Sequence, residues 1–236
     1  MRYVSGISAS FGRIVGPMRR VCHTQSKVER VVNTPYFELA RMTAAEKQAC
    51  EELLRLEEKA PKSGKEIFMV QRMMLADAGL NEEIRRGIEA GVGAAAAVER
   101  AGNLYAQCLR AIRDSYLSQR ACDVMDVCQR VIDILDGNSH KKCKLTQPSI
   151  LVADEIYPTD LVTPAREMVL GFVSSMGSPC AHAAILARHY GIPAVVQAGE
   201  DFMQDCDGKM AAIDGASGEI YLTPDAATRA RFAQAM

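Results

Sequence analysis

The stretch from 177 to 196, GSPCAHAAILARHYGIPAVV, constrains the fold most, because it reads as a loop, a helix and a strand in direct succession. The glycine, serine and proline at its start disfavour a helix before the cysteine, so the predicted helix is AHAAILARHY. Gly191 and Pro193 end that helix, and the short β-branched run after them is typical of a buried parallel strand. This pattern predicts that His182 lies in the first turn of a helix.

That position gives His182 two possible roles. The first N–H groups of a helix lack intrahelical partners and carry partial positive charge, which favours a bound anion and disfavours an imidazolium. A neutral imidazole there can attack a phosphoryl group, and the small side chains of Ala181 and Ala183 leave room for it. The residues alone leave open a structural, hydrogen-bonded histidine. A metal site of Cys180, His182 and His189 is disfavoured, because this is not a zinc spacing and no carboxylate lies near.

Length and composition limit the class of protein. With 236 residues, 48% of them hydrophobic, the chain can bury the core of one large or two modest domains. A net charge of -1 does not indicate binding to nucleic acid or to a membrane surface. No apolar run is long enough to span a bilayer, and the first residues do not read as a signal peptide, so a cytoplasmic protein is predicted. The eight cysteines are expected to be reduced thiols that fill the core.

Strand patterns occur at both ends of the chain. Near the start, residues 2–8 and 12–15 read as two strands, and Pro17 breaks the pattern. After residue 148 the strand patterns return, with a short helix predicted at 164–167. The later strand candidates are 149–153, 168–173, 194–196, 210–213 and 219–222.

A helical block separates the two groups of strands. Helical spacing begins at Thr43, which forms a capping box with Glu46, and a turn is predicted at 77–81. Two longer apolar stripes follow, at 97–112 and 121–135. Their alternating spacings of three and four predict an antiparallel bundle in which the stripes form the core. The chain is therefore expected to combine an α/β domain with an inserted all-α domain.

The stretch around His182 resembles the phosphohistidine swivelling domain shared by Enzyme I of the bacterial sugar phosphotransferase system, pyruvate phosphate dikinase and phosphoenolpyruvate synthase. Its motif runs Gly-Gly-x-Thr-Ser-His-x-Ala-Ile, then Ala-Arg and Gly-Ile-Pro-Ala-Val-Val. This chain matches the first glycine, the histidine, the Ala-Ile and Ala-Arg pairs and the whole of 191–196. The resemblance implies that His182 is the catalytic residue. It also implies phosphate contacts by Gly177, Ser178, Cys180, Ala181, Ala183 and Arg188.

The chain departs from this motif beside the histidine. Cys180 and Ala181 replace a hydroxyl pair, and Ser178 replaces the second glycine. A thiol is a weaker donor than a hydroxyl and a methyl group donates nothing, so a retained but weakened site is expected. The upstream hydroxyl that bonds the resting histidine in the family aligns near Leu161, between two threonines, Thr159 and Thr163.

Two helical segments extend the resemblance to Enzyme I. IFMVQRMMLAD is similar to the family's Ile-Phe-Glu-x-His-x-Met-Leu-x-x-Asp, and YLSQRACDVMDV to its Tyr-Leu-x-x-Arg-Ala-x-Asp-Val-x-Asp-Val. In Enzyme I, a β/α phosphohistidine domain is split by an inserted helical domain that docks the small carrier HPr. The implied domains are a swivelling β/α domain at 1–22 and 145–222, a helical HPr-binding domain at 28–140, and the start of a linker helix at 223–236.

The same resemblance implies partners. An HPr-like phosphocarrier is expected to contact Met69, Gln71, Met74, Arg120 and Asp123, with Met69 and Gln71 standing where the family commonly has Glu and His. No cofactor or metal is expected in this chain. Phosphoenolpyruvate and magnesium belong in the family to a further domain that the sequence does not contain, and a separate domain of that kind is a second candidate partner.

Three functional hypotheses follow. The first is an incomplete phosphotransferase in which His182 relays phosphate to the carrier in sugar transport. The second is a module that docks HPr with little or no chemistry, which the replacements at Cys180, Ala181 and Leu161 favour. The third is a structural remnant of Enzyme I that has no partner.

Overall fold

The computed structural model describes residues 2–23, 33–60, 62–137, 145–200, 202–203 and 206–233. The chain divides into two compact units, one formed by 1–22 with 143–236 and the other by 23–142. The first unit is a mixed α/β domain and the second a helical bundle, which confirms the predicted fold class. Across the described part of the chain, every helix is too short or too polar to cross a membrane.

The α/β unit is built around one mixed sheet. Its strands in the described residues are β1 (Arg2–Ser5), β2 (Ile7–Ser10), β3 (Arg13–Arg20), β4 (Ser149–Ala153), β5 (Val169–Ser174), β6 (Ala194–Val196), β7 (Met210–Asp214) and β8 (Glu219–Leu222). They lie in the order β1-β8-β7-β3-β4-β5-β6-β2. Strands β3 to β6 run parallel to one another, and the other pairs are antiparallel.

The strand predicted at 2–8 is divided by Gly6. Its two halves, β1 and β2, lie at opposite ends of the strand order, so the two ends of the sheet meet at this one residue. The Gly6 N–H donates to the oxygen of Gly218 at 2.9 Å, and an added Cβ on Gly6 would lie 2.6 Å from the oxygen of Val196. Only glycine fits so close to a neighbouring backbone.

Pro17 does not end a strand, contrary to the sequence-based prediction. It lies opposite Met210 at the last position of the β3–β7 ladder, and Met18 begins the ladder with β4. Because β3 changes partner here, the missing proline N–H is tolerated. The core of the unit lies against these ladders and is formed by buried side chains that include Ile150, Val152, Val173, Val195, Phe202, Ile213 and Ile220.

The helical unit confirms the predicted bundle. Its helices are α1 (Pro35–Lys59), α2 (Lys62–Leu75), α3 (Ala78–Glu89), α4 (Ala94–Ala111) and α5 (Ser115–Leu135). The beginning of α1 is not the predicted one, because Thr43 lies inside the helix and its hydroxyl donates to the oxygen of Leu39 at 3.0 Å. Thr34 caps the helix instead, accepting from the Phe37 N–H at 3.4 Å.

The turn predicted at 77–81 is mostly helix. Asp77 is the N-cap of α3, and its carboxylate accepts from the Leu80 N–H at 2.8 Å. An aspartate favours turns and N-caps for the same reason, so the local sequence did not separate the two. The helix ends at Glu89, and Gly91 follows shortly after it with a φ of 87°.

In the described residues the α/β unit also contains three helices, α6 (Pro158–Val162), α7 (His182–Tyr190) and α8 (Ala226–Ala233). The short helix predicted at 164–167 is displaced. α6 forms earlier, with Pro158 in its first turn and Asp160 accepting from the Tyr157 N–H at 2.8 Å, and only a 3-10 turn follows at Arg166–Met168. α8 packs on β3 and β7 with Phe232 buried.

The expectation that cysteines fill the core holds for some of them. Cys122, Cys128 and Cys206 are buried, whereas Cys22, Cys108 and Cys180 are exposed and Cys50 is half-buried. Composition predicted reduced cysteines in a cytoplasmic protein, but it could not tell which cysteines lie on the buried face of a helix and which are exposed. Cys143 lies outside the described residues.

The ends of the helical domain also lie outside the described residues, which omit 24–32 and 138–144. The exact limits of that domain therefore stay a prediction.

Candidate active site

His182 lies in the first turn of α7, as the sequence predicts, and is its first residue because the helix begins one position later than predicted. Ala181 is the N-cap, with an extended backbone (φ -64°, ψ 153°), and its carbonyl accepts from the Ile185 N–H at 3.0 Å. Its methyl side chain makes no capping hydrogen bond, so the first-turn N–H groups of α7 receive no acceptor from the N-cap side chain. This helix start is therefore suited to an anion.

The packing of α7 determines which side of the helix carries His182. Ala183, Ala184, Leu186 and Ala187 are buried, and the helix packs on β2 and α6. His182 belongs to the other face and is half-buried. Gly191 ends the helix in the left-handed conformation at a φ of 62°. The imidazole is thus held by a fixed helix while part of it remains accessible from solvent.

The segment from 175 to 181, called here the histidine loop, joins β5 to α7. Its first residues continue the pairing of the sheet, since the N–H groups of Ser175 and Met176 donate to the carbonyls of Ala153 and Asp154 at 3.1 and 2.9 Å. The Ser175 hydroxyl also contacts the Asp154 carboxylate at 3.3 Å. The loop therefore begins as an ordered extension of two parallel strands.

Ser178 organises the end of the histidine loop. Its hydroxyl oxygen accepts from the Cys180 N–H at 3.1 Å, and its carbonyl accepts from the Ala181 N–H at 3.0 Å. These two bonds form a turn that leads directly into α7. The Cys180 side chain is exposed.

Two side chains from outside the loop hold its carbonyl groups. Gln197, directly after β6, donates from its amide nitrogen to the Gly177 oxygen at 2.9 Å. The Nη1 atom of Arg188 donates both to the Pro179 oxygen at 2.8 Å and to the oxygen of Ala9 in β2 at 2.7 Å. Sequence analysis did not select Gln197, because no local pattern shows that a residue after a strand returns to a loop twenty positions earlier.

The residues predicted to bind phosphate are brought together only in part. Gly177, Ser178, Cys180, Ala181 and Ala183 all lie in the loop or in the first turn of α7. Arg188 lies further along the helix, and its Nη1 atom bonds backbone carbonyls. Its role as a phosphate ligand stays a prediction, while its role in holding the loop is seen directly.

The position that aligns with the family's hydroxyl near the histidine is apolar. Leu161 in α6 has 2% of its surface exposed, and Thr159 beside it is also buried, whereas Thr163 is exposed. α6 packs against α7. In the described part of the chain, no three or more His, Cys, Asp or Glu side chains are grouped as they would be to hold a metal ion.

Comparison with known proteins agrees with this geometry. The family described as PEP-utilising enzyme, N-terminal, matches residues 5–120, and the one described as PEP-utilising enzyme, mobile domain, matches 145–218. A solution structure of Enzyme I (nEIt) is similar with a TM-score of 0.66 and 30% identity, covering 98% of this chain and 97% of that one. The chain belongs to the Enzyme I family.

Further Enzyme I relatives support the assignment to the amino-terminal half. The N-terminal domain of Enzyme 1 - Nitrogen is similar with a TM-score of 0.61 and 26% identity, over 98% of both chains. The phosphoenolpyruvate-protein phosphotransferase of Priestia megaterium is 29% identical over 233 residues, which is 95% of this chain and 40% of that protein. The multiphosphoryl transfer protein of Rhodobacter capsulatus is 31% identical over 243 residues, covering 100% of this chain and 29% of that protein. The chain thus spans 40% or less of the length of these two curated relatives.

The carrier surface implied by the Enzyme I resemblance is only partly exposed. On α2, Met69 has 46% of its surface exposed and Met74 is half-buried, but Gln71 has only 1% exposed and donates to the Asp126 carboxylate at 2.9 Å. Met73, which was not predicted, has 66% exposed. Met69 and Met73 are therefore exposed on the outer surface of α2, together with Lys65 and Glu66, and Gln71 is not part of that surface.

Helical periodicity explains the position of Gln71. It lies on the stripe of Ile67, Phe68 and Leu75, which are all buried. A similar inward position holds for Asp123 on α5, whose side chain is 4% exposed and accepts from Arg120 at 3.3 Å. The apolar spacing of α2 indicates that Gln71 faces inward, whereas the match to the Enzyme I motif placed Gln71 among the predicted carrier contacts.

Proposed function

We propose that His182 carries a phosphoryl group as phosphohistidine and exchanges it with the histidine of an HPr-like carrier that docks on the helical unit. The observation that supports this most is the place of His182 as the first residue of α7, half-buried and following an N-cap without a side-chain acceptor. The partial positive charge of a helix start favours the dianionic group that the imidazole would accept.

In the exchange one nitrogen–phosphorus bond replaces another. A ring nitrogen of the carrier histidine attacks the phosphorus on His182, the bond from phosphorus to the His182 nitrogen breaks, and its electron pair returns to the imidazole. The reverse reaction loads His182 from the phosphorylated carrier. The positive end of the α7 dipole stabilises charge on the phosphoryl oxygens, and a fixed helix start requires little reorganisation.

The source of the phosphate is part of the same proposal, and the names of the relatives support it. Several carry the name phosphoenolpyruvate-protein phosphotransferase and are longer than this chain. We assign the phosphoenolpyruvate step, with its magnesium, to a domain outside these residues. The proposed role of this chain is to carry the group between that domain and the carrier.

The test uses the reverse reaction, which does not require phosphoenolpyruvate. The chain is mixed with carrier phosphorylated on histidine, and acid-labile, base-stable phosphate on the chain is measured by gel or mass spectrometry. We expect labelling of the wild type and of His189→Ala, an exposed histidine near the end of the same helix, and no labelling of His182→Ala. Labelling that persists in His182→Ala, or its absence from the folded wild type, contradicts the relay.

A docking module without chemistry is the second candidate. It is favoured by the apolar, buried Leu161, which aligns with a hydroxyl in the family, and by the lack of a side-chain donor at Ala181. Binding of the carrier measured by calorimetry, with no transfer of phosphate, would support this function. Absence of both binding and transfer would leave a structural remnant.

A further inference from the structure

The histidine loop is hydrogen-bonded to Gln197, the residue that directly follows β6. We propose that Gln197 is a positioning residue for phosphorylation of His182, acting through the carbonyl of Gly177; this inference rests on the function proposed above. Neither the motif nor the predicted phosphate ligands include Gln197. Its contacts, however, reach two successive residues of the loop.

The backbone of Gln197 is in an unfavourable conformation. Its φ is 56°, and among the described non-glycine residues only Thr223, at 49°, shares a positive φ. A residue with a Cβ adopts this region when surrounding interactions hold it there. Here the Gln197 N–H donates to the Met176 oxygen at 3.4 Å and the side-chain amide donates to the Gly177 oxygen at 2.9 Å. The unusual backbone thus accompanies two bonds to the histidine loop.

Gly177 is the part of the loop that most needs such a contact. Its φ of 97° lies in a region that glycine enters freely, and glycine has the widest conformational range of any residue. The nearest atoms to an added Cβ would be 3.5 Å away, so packing alone restricts this peptide weakly. The bond from Gln197 fixes the direction of its carbonyl.

The direction of these carbonyls matters to an anion at the start of α7. A carbonyl oxygen turned toward a phosphoryl group repels it, whereas N–H groups attract it. Gln197 engages the oxygens of Met176 and Gly177, and Arg188 engages that of Pro179. Protein donors therefore hold three carbonyls of the loop in place before any phosphate arrives.

Removal of the Gln197 side-chain amide should lower the fraction of molecules in which the histidine loop has the conformation needed for phosphate transfer. The maximal rate of transfer should fall, because that fraction multiplies the rate. The carrier concentration that gives half of the maximal rate should not change, since the proposed docking surface lies on the helical unit. A general loss of structure would instead change stability and binding together.

The experiment compares two substitutions at Gln197 with a matched control. Gln197→Gly removes the amide and also relieves the unfavourable φ, and Gln197→Glu keeps the shape but cannot donate when ionised. Thr223→Gly relieves the other positive φ without altering the loop contacts. Single-turnover transfer from phosphorylated HPr is followed as a function of carrier concentration, with the melting temperature measured for each variant. We expect about a tenfold lower maximal rate in both Gln197 variants, an unchanged half-saturating concentration, and wild-type behaviour in Thr223→Gly.

Hydrogen exchange separates this inference from the proposed function. The backbone N–H groups of Cys180 and Ala181 donate hydrogen bonds to Ser178. Their hydrogens should exchange with solvent about tenfold faster in Gln197→Gly and at the wild-type rate in Thr223→Gly. This readout remains valid even if the wild type transfers no phosphate. Unchanged exchange in Gln197→Gly, or full transfer activity in that variant beside an active wild type, overturns the positioning role. A loss of activity in Gln197→Glu alone would show an effect of the added charge and would overturn it as well.

Discussion

The carboxylate of Glu38 in the first turn of α1 accepts a hydrogen bond of 2.8 Å from the backbone N–H of Ala94, the first residue of α4. The N-cap of α4 is Gly93, which has no side chain, so a distant helix supplies the acceptor. Arg41 donates to the same carboxylate at 3.0 Å and to the oxygen of Leu135, at the end of α5, at 2.8 Å. One ion pair on α1 therefore satisfies the start of one helix and the end of another.

Replacement of Glu38 by glutamine should weaken the helical unit. Burial of Glu38 by itself would raise its pKa, but hydrogen bonds from the Ala94 N–H, Asn33 and Arg41 lower it to below its usual value. At pH 7 the charged, hydrogen-bonded carboxylate is therefore stabilising, and Glu38→Gln should cost about 1–2 kcal/mol in the free energy of unfolding. Urea unfolding followed by circular dichroism at 222 nm measures this change.

The stabilisation that Glu38 provides should decrease at low pH. Because the folded-state pKa is lowered, the stabilisation is complete above the unfolded pKa of about 4.3 and is lost as the pH falls through the folded pKa. The difference between wild type and Glu38→Gln should therefore shrink at low pH. Glu58→Gln, an exposed position on the same helix, should differ little from wild type at any pH. A difference that grows on acidification would contradict the assignment.

A second buried carboxylate, Asp214, ties β7 to β3. Burial alone would raise its pKa, but the Arg13 guanidinium at 2.6 Å and the N–H groups of Ala216 and Ser217 hold it below the usual value. The side chain of Asp214 is 4% exposed and that of Arg13 is 47% exposed. We expect Asp214→Asn to lower the free energy of unfolding by about 1–3 kcal/mol at pH 7, and by less as the pH falls below about 4.

The exposed pair of Arg19 and Asp207 provides the control for Asp214. Both of its side chains are 49% exposed, so solvent screens the interaction and Arg19→Ala should cost less than about 1 kcal/mol. Titration of the Asp214 carboxyl by carbon NMR should also show a pKa that rises in Arg13→Ala. Equal costs for the buried and exposed pairs, or an unchanged Asp214 titration, would show that burial and Arg13 do not set its behaviour.

Restoring a hydroxyl before the histidine should strengthen the proposed phosphorylated state. Cys180 is exposed in the histidine loop, two residues before His182, and a thiol is a poorer donor than a hydroxyl. If Cys180→Thr regains one donor bond to the phosphate, the exchange equilibrium with the carrier should shift by on the order of 1 kcal/mol, about fivefold. The measurement is made in reducing buffer, with Cys108→Thr on the exposed face of α4 as control. An equilibrium in Cys180→Thr that is unchanged, or that favours phosphorylation less, would mean that backbone donors alone set the site.

The cysteines should differ sharply in reactivity. Burial raises the pKa of the Cys128 thiol to about 12, so almost no thiolate exists at pH 8, and the packed core also excludes reagents. Iodoacetamide at that pH should label Cys22, Cys108 and Cys180 in the folded chain, as read by peptide mass spectrometry, and should label Cys128 only after unfolding. Rapid labelling of Cys128 in the native protein would indicate that α5 opens readily from the bundle.

Local sequence determined the elements whose signals are contained within a few residues. The loop, helix and strand around His182 were predicted because glycine and proline limit the backbone wherever they occur. The bounds of β4, β6 and β8 were predicted for a similar reason, since short apolar runs between turn residues fill a buried sheet. The bundle followed from periodicity alone, and the Enzyme I motifs added the prediction that His182 is the reactive histidine.

Tertiary structure decided the features that join distant residues. The helix predicted to begin at Thr43 begins earlier because Thr34 caps it, and the bare start of α4 is satisfied by Glu38, fifty-six positions away. Gln71 matched a motif position for contact with a carrier, yet packing turned it inward to Asp126. The contact of Gln197 with Gly177 exists only because β6 ends beside the loop that follows β5. A hydrogen bond depends on distance in space, and single-sequence patterns report only distance along the chain.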